Sequence, residues 1–397
     1  MPSMRKLLYI LLILSLSRPC YSFDFAPEFG MPVIRNNKVY THYGSHSDEI
    51  ICIDEASKSV EWRYKLDQAI NSIYPGKDNE IIVSLKGKKV VTGFGWLGPE
   101  IDFQPQSTNV YIFDTDSKGI KERHNVRGTI FGVTKDGQGI YYTYIYGVSL
   151  YSRKDKKDLW DVDVNTPNFD KTPFICGEYV FVRAKPRYTT RKRYELYELI
   201  CIKTSDPSVV WREEVKGRSS FRSSFDLKDG TKYILCTTDH AVRLLDKASG
   251  EELKRYESSV ADFHGADFWG DDRIILSIGG EYPVERTIRI LDTESFEIIS
   301  EFEIGETARG PIKVFGDISL LGGNGIDLVK KEIIWTSNNK ANIIFMEIHN
   351  GLVYCVKKYS YNKDIHNTIS VVNPTTGHEQ TLYSITDRYS LRRALQY

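Results

Sequence analysis

Short apolar runs alternate with polar turns along this chain, and no apolar stripe with a 3.6-residue period and helical length interrupts them. The pattern predicts strands throughout. One unit is clearest where an apolar run ends at Asp54, a polar turn follows, and a second short strand reaches Trp62. The same offset of eight residues recurs from Asp114 to Glu122, Asp246 to Lys254, Asp292 to Ser300 and Asn373 to Thr381. Two copies keep the offset without the acid, Ser152 before Trp160 and Lys203 before Trp211. A further copy, ending at Trp335, is expected to have a shorter turn around Lys330 and Lys331. A short Asp or Asn side chain accepts hydrogen bonds from turn amides and closes a tight hairpin. Gly250 and Gly377 supply the left-handed backbone that such turns need. The tryptophans at 62, 160, 211 and 335 share one repeat position, where a side chain of that size is expected to pack between neighbouring sheets.

The rest of each repeat follows. Pro32, Pro173 and Pro311 each open a segment whose second strand starts at Val39, Val180 and Ile318, at one constant offset. Other copies turn at Asp136-Gly137, Asp229-Gly230, Asp271-Asp272 and Asn350-Gly351 before an apolar strand. Each repeat thus reads strand A, turn, strand B, loop, strand C, turn, strand D. Four antiparallel strands in a repeat of about 45 residues suit a propeller blade. The expected fold is all-β, an eight-bladed β-propeller of four-stranded antiparallel blades, with seven blades as the alternative.

In its turns the chain resembles the pyrroloquinoline-quinone-type repeat. Asp246-Lys-Ala-Ser-Gly250 and Asn373-Pro-Thr-Thr-Gly377 are similar to that repeat's turn, and degenerate copies cover the mature chain. The resemblance implies the quinoprotein-dehydrogenase-like propeller superfamily, its non-catalytic BamB-like members more than its quinone enzymes. Those enzymes are longer and carry an adjacent Cys-Cys pair that this chain lacks.

Composition changes the picture little. Aromatics make up 12% of the chain, led by 25 tyrosines, which favours pleated sheet. Basic and acidic residues number 53 each, so no global field draws the chain to nucleic acid or anionic membrane. The N-terminus reads as a secretory signal over residues 1–22: Arg5 and Lys6, an apolar run from Leu7 to Leu16, then small residues at Cys20 and Ser22. That run is short for a membrane span. Residues 23–397 then form one propeller domain, exported to a bacterial periplasm or secreted. Cys52, Cys176, Cys201, Cys236 and Cys355 are odd in number and lack metal-ligand spacing, so they read mostly as buried thiols.

Chemical motifs are sparse. Gly93-Phe-Gly95-Trp-Leu-Gly98 matches a dinucleotide fingerprint by letter, but Pro99 and a polar loop stand where the helix should begin. His42, His46, Asp48 and Glu49 form a weak metal set, with His240, His264 and His366 expected toward the same face. No cofactor, metal or catalytic residue is assigned. The B–C connections alternate instead. They are brief in odd repeats and longer in even ones: Lys86 to Thr108, Lys185 to Tyr194, Glu281 to Arg286 and Lys358 to Asn367. Phe94, Trp96, Phe103, Arg187, Tyr188, Arg191, Arg193, Tyr359 and Tyr361 in these segments are residue types that anchor protein interfaces. The expected function is non-enzymatic recognition of a protein partner, as an envelope scaffold or an immunity-type inhibitor. The alternatives are a quinone- or metal-dependent oxidoreductase and a glycan or cell-wall binding module. The oligomeric state is left open.

Overall fold

The computed structural model describes residues 30–44, 47–86, 90–95, 98–102, 107–144, 147–164, 173–184, 194–218, 226–237, 241–257, 262–279, 286–305, 312–337, 342–361 and 364–388. The expected signal at 1–22 lies outside them. Every regular element among these residues is a strand. Blade 1 comprises Val33–Arg35, Lys38–Thr41, Glu49–Asp54 and Ser59–Lys65. Blade 2 comprises Ile70–Pro75, Glu80–Leu85, Thr108–Asp114 and Gly119–Val126; blade 3, Thr129–Val133, Gly139–Tyr144, Gly147–Ser152 and Lys157–Asp163. Blade 4 has Phe174–Cys176, Tyr179–Ala184, Tyr194–Lys203 and Ser208–Arg218; blade 5, Asp226–Asp229, Tyr233–Thr237, Ala241–Asp246 and Glu252–Glu257. Blade 6 has Asp262–Trp269, Arg273–Gly279, Arg286–Asp292 and Ile298–Gly305; blade 7, Ile312–Phe315, Ile318–Leu321, Asn324–Asp327 and Glu332–Thr336. Blade 8 ends the ring with Asn342–His349, Leu352–Tyr361, Asp364–Val372 and Glu379–Arg388.

Each blade is a four-stranded antiparallel sheet in chain order, A to D. The chain is an eight-bladed β-propeller, and the seven-blade alternative is set aside. Its core is divided among the seams between blades. Ile50, Cys52, Ile81 and Val83 fill the seam of blades 1 and 2, and Val148, Val162, Val180 and Ile200 that of blades 3 and 4. The series returns to its start, where Val39, Ile51 and Ile53 of blade 1 pack with Tyr354, Val356 and Ile369 of blade 8. Neighbouring A strands approach one another around the centre, while D strands alternate between half-buried and exposed positions at the rim.

The repeated turn forms as its residues dictate. Asp54, Asp114, Asp246, Asp292 and Asn373 accept backbone amides two or three residues on, for example Ser249 N at 2.7 Å from Asp246 Oδ1. Ser152 Oγ does the same for Asp155 N at 3.0 Å. The expectation of a shorter turn before Trp335 is corrected. Asp327 stands eight residues before that tryptophan and accepts Val329 N and Lys330 N at 3.0 and 2.8 Å, so this turn has the ordinary length. The fifth residue of the turn takes positive φ whether it is Gly250, Gly377, Lys58, Lys118, Lys156, Phe296 or Lys331. A residue just before the tryptophan position is then left unpaired as a bulge: Glu61, Lys121, Leu159, Val210, Leu253, Ile299 and Ile334 in blades 1 to 7.

The shared tryptophan position seats each blade on the next. Trp62 of blade 1 stacks on Phe113 of blade 2 with ring centroids 5.4 Å apart. Trp211 of blade 4 lies where a Cβ on Gly250 of blade 5 would fall, 2.1 Å from its ring. Trp335 of blade 7 covers Gly377 of blade 8 in the same way and donates its indole N–H to the Pro374 carbonyl at 2.7 Å. Trp160 joins the apolar cluster shared by blades 3 and 4.

Candidate functional site

Antiparallel strands in the order A to D place the B–C and D–A connections on one face and the A–B and C–D turns on the other. On the first face blades 2, 4 and 8 stand taller, and the Glu281 to Arg286 connection of blade 6 lies outside the described residues apart from Arg286. In blade 7 strand B has four residues and meets strand C at Leu321 and Asn324, whereas strand B of blade 8 has ten. Six further residues of strand at about 3.3 Å each raise blade 8 by about 20 Å over its neighbour. Blade 4 rises through its C and D strands, which pair from Lys203 and Ser208 out to Tyr194 and Arg218. Blade 2 inserts a separate two-stranded hairpin, Val90–Gly95 with Gly98–Asp102, between its B and C strands. In odd blades the B–C connection is short, as at Tyr144 and Gly147.

This corrects the reading of two segments as loops. Residues 86–108 contain the hairpin, with Phe94 opposite Pro99. Within 358–367 the ladder runs unbroken, Tyr359 opposite His366 and Tyr361 opposite Asp364. All three candidates thus sit on strands that project from the same face. Trp96, Phe103, Arg187, Tyr188, Arg191 and Arg193 lie outside the described residues. The Gly93 to Gly98 match falls on the hairpin, with no helix beside it among the described residues to align a dipole with a phosphate.

The channel side holds a pattern that only alignment of the A strands exposes. The residues opposite Tyr40, Ile82, Tyr141 and Phe181 on strand B of blades 1 to 4 are Val33, Tyr74, Gly132 and Phe174. The equivalent residues in blades 5 to 8, opposite Leu235, Ile275, Leu320 and Tyr354, are Lys228, Asp267, Lys313 and Glu347. Half of the ring is apolar and half alternates in charge. Burial pushes the Asp267 carboxyl up, while Lys228, the Val314 amide at 2.9 Å and Lys313 favour its charged form. Burial of its carboxyl raises Glu347, with His349 and Lys313 acting against the shift. The arrangement balances charge along four consecutive inner strands.

Among the groups weighed for catalysis or metal binding, His42 and His366 have local partners. The His42 ring lies on the backbone of Gly30, where a Cβ would come 2.1 Å from Nε2, and its Nδ1 is 3.3 Å from the Gly44 carbonyl. Burial lowers its pKa to about 4, so the ring is neutral at physiological pH. His366 pairs with Thr386 Oγ1 at 2.9 Å. His46, His240 and the side chain of His264 lie outside the described residues. Among those described, no three His, Cys, Asp or Glu side chains gather as a metal set. The five cysteines are buried free thiols; burial pushes Cys52, Cys201 and Cys355 up to about 12, too high for a thiolate nucleophile.

No protein-family model matches the chain, and no curated protein sequence matches it. Solved structures do. A eukaryotic initiation factor is 11% identical with a TM-score of 0.55, covering 91% of each chain. The dihydro-heme d1 dehydrogenase NirN is 11% identical with a TM-score of 0.54, over 92% of this chain and 78% of that one. AztD from Citrobacter koseri is 10% identical with a TM-score of 0.50, over 86% and 92%. At such identity the likeness is one of fold.

Proposed function

We propose that the chain is an exported, non-enzymatic propeller that captures a protein partner on its B–C face. The observation that carries this reading is the uneven height of that face, with blades 2, 4 and 8 projecting beyond their short neighbours. Protruding strands and hairpins on a rigid ring are where recognition elements sit. Tyr359 and Tyr361 occupy the projecting ladder of blade 8, Phe94 occupies the hairpin of blade 2, and the Arg187 to Arg193 segment links strands B and C of blade 4. Aromatic and arginine side chains on raised elements supply the large contact area and bidentate bonds of an interface centre. Export to the bacterial envelope rests on the basic and apolar residues at 5–16.

The test is site-specific photo-crosslinking in the native cell. A photoreactive amino acid at positions 94, 188 or 361 should give one discrete protein adduct, and the same probe at 116, 206 or 294 on the opposite face should not give that adduct. Replacing Trp96, Tyr188 and Arg191 together by alanine should abolish the adduct and leave the melting temperature unchanged. The same partner adduct from both faces, or saturable binding of pyrroloquinoline quinone with dye reduction, defeats the reading.

A further inference from the structure

The A–B and C–D face, opposite the proposed capture surface, has its own asymmetry. The bulged residue of each D strand lies at this face. Glu61 of blade 1 meets Lys38 at the start of strand B at 2.7 Å and Lys118 in the next blade's turn at 3.7 Å; Lys121 of blade 2 meets Glu80 at 2.7 Å. On blades 3 to 6 the same position is Leu159, Val210, Leu253 and Ile299, which are 51%, 39%, 39% and 54% exposed, with Ile298 at 43% beside the last. Exposed aliphatic residues thus stand at one register on four adjacent blades, while Ile334 at that register in blade 7 is half-buried. Such an arc needs an apolar counterpart.

The flanking charges select that counterpart. At one end of the arc, the turn of blade 3 exposes Lys154, Lys156 and Lys157 beside Asp155 and Asp158. At the other, the turn of blade 6 exposes Glu294 and Glu297. Among the described residues, none of these lysines or glutamates has an ion-pair partner. We propose that this face joins two copies of the chain about a two-fold axis passing between blades 4 and 5. That axis sets Val210 against the partner's Leu253, Leu159 against the partner's Ile298 and Ile299, and each lysine turn against a glutamate turn. An axis through blade 5 would instead oppose the blade 3 lysines to Lys330 and Lys331 of blade 7. A chain with zero net formal charge carries no global repulsion to overcome on pairing. A lipid surface fits less well, because the arc has no aromatic residue and its acidic end repels anionic headgroups.

Sedimentation velocity across a concentration series decides it. The wild-type chain should dimerise, and Leu159→Glu with Leu253→Glu should raise the dissociation constant by at least about tenfold, the equivalent of ~1.4 kcal/mol. Lys156→Glu with Lys157→Glu should weaken the dimer, and adding Glu294→Lys with Glu297→Lys in the same chain should restore it, since each copy supplies both ends of the contact. Unchanged circular dichroism and melting temperature show that the variants fold. A wild-type chain that stays monomeric, including one that floats with phosphatidylglycerol vesicles, overturns the proposal. So does a dimer that survives every substitution.

Discussion

Gly377 and Trp335 act as one unit although they lie on different blades. The glycine has φ of +68°, and the indole occupies the space of its missing side chain, 2.3 Å from an ideal Cβ. Gly377→Ala therefore meets two penalties, the left-handed backbone at about 1–2 kcal/mol and displacement of the ring. A total loss near 3 kcal/mol in urea unfolding is expected. Lys331 occupies the same turn position with φ of +62°, and the preceding blade has Ser300 where the tryptophan would stand. There Lys331→Gly relieves the backbone and should stabilise slightly, by about 0.5 kcal/mol after the added freedom of the unfolded chain. Equal destabilisation by both changes would show that the position has no left-handed requirement. The aspartates of these turns were legible in the sequence because hydrogen bonding to their own turn needs only local spacing. Asp327 escaped because Leu328 and Val329 follow it and make the turn read as a continuing apolar strand.

Between blades, loss of the tryptophan is met by whatever the next turn supplies. Blade 5 ends its repeat with exposed Lys254, and blade 6 fills the seam from its own turn with Phe296, buried among Leu235, Leu244 and Phe263. Blade 2 has Glu122 at the position, and blade 3 answers with Arg153, whose guanidinium bonds Glu122 Oε1 at 3.0 Å and buried Glu80 Oε2 at 2.9 Å. Burial opposes ionisation of Glu80, yet Lys121 and Arg153 together hold its pKa below the usual carboxylate value of 4.5. A depressed carboxylate contributes stability above its unfolded pKa and loses it as pH falls through the folded one. Wild-type stability should thus hold from neutral pH down to about 5 and decline below it. Arg153→Met leaves Glu80 in the seam with the ion pair to Lys121 but without its buried partner, and should lose about 2 kcal/mol at pH 7. Part of that loss should return near pH 5 as the carboxyl protonates. A variant whose stability falls monotonically with acidification contradicts this account. The strand pattern and the indole seats could be read from spacing along one chain. The charged half of the channel could not, since Lys228, Asp267, Lys313 and Glu347 become equivalent only after the A strands are aligned across blades. The loop contacts expected at Tyr359 and Tyr361 were misread as irregular because polar, aromatic residues in a projecting ladder look like a loop by composition.

For the ring as a whole, closure is the distinctive step. Each blade uses consecutive strands, and among the described residues none is exchanged between blade 1 and blade 8. Among those residues their seam is held by side-chain contacts. Arg63 donates to Tyr383 Oη at 2.7 Å, Asn367 Nδ2 to Tyr43 Oη at 3.1 Å and Tyr354 to Glu55 at 2.5 Å, over the cluster of Val39, Ile51, Ile53, Val356 and Ile369. Every other seam joins blades that are also tethered by a short D–A connection, which keeps separated faces at high effective concentration. The last seam has no such tether, so it opens at the lowest free energy even with comparable packing. Hydrogen exchange in the native state should therefore release amides of strand C of blade 1 and strand B of blade 8 before those of blades 3 to 6. Arg63→Ala with Tyr383→Phe should widen that gap by about 1.5 kcal/mol, the lower end for a hydrogen bond with a charged partner. Protection that is uniform around all eight blades would mean that the ring opens only by global unfolding.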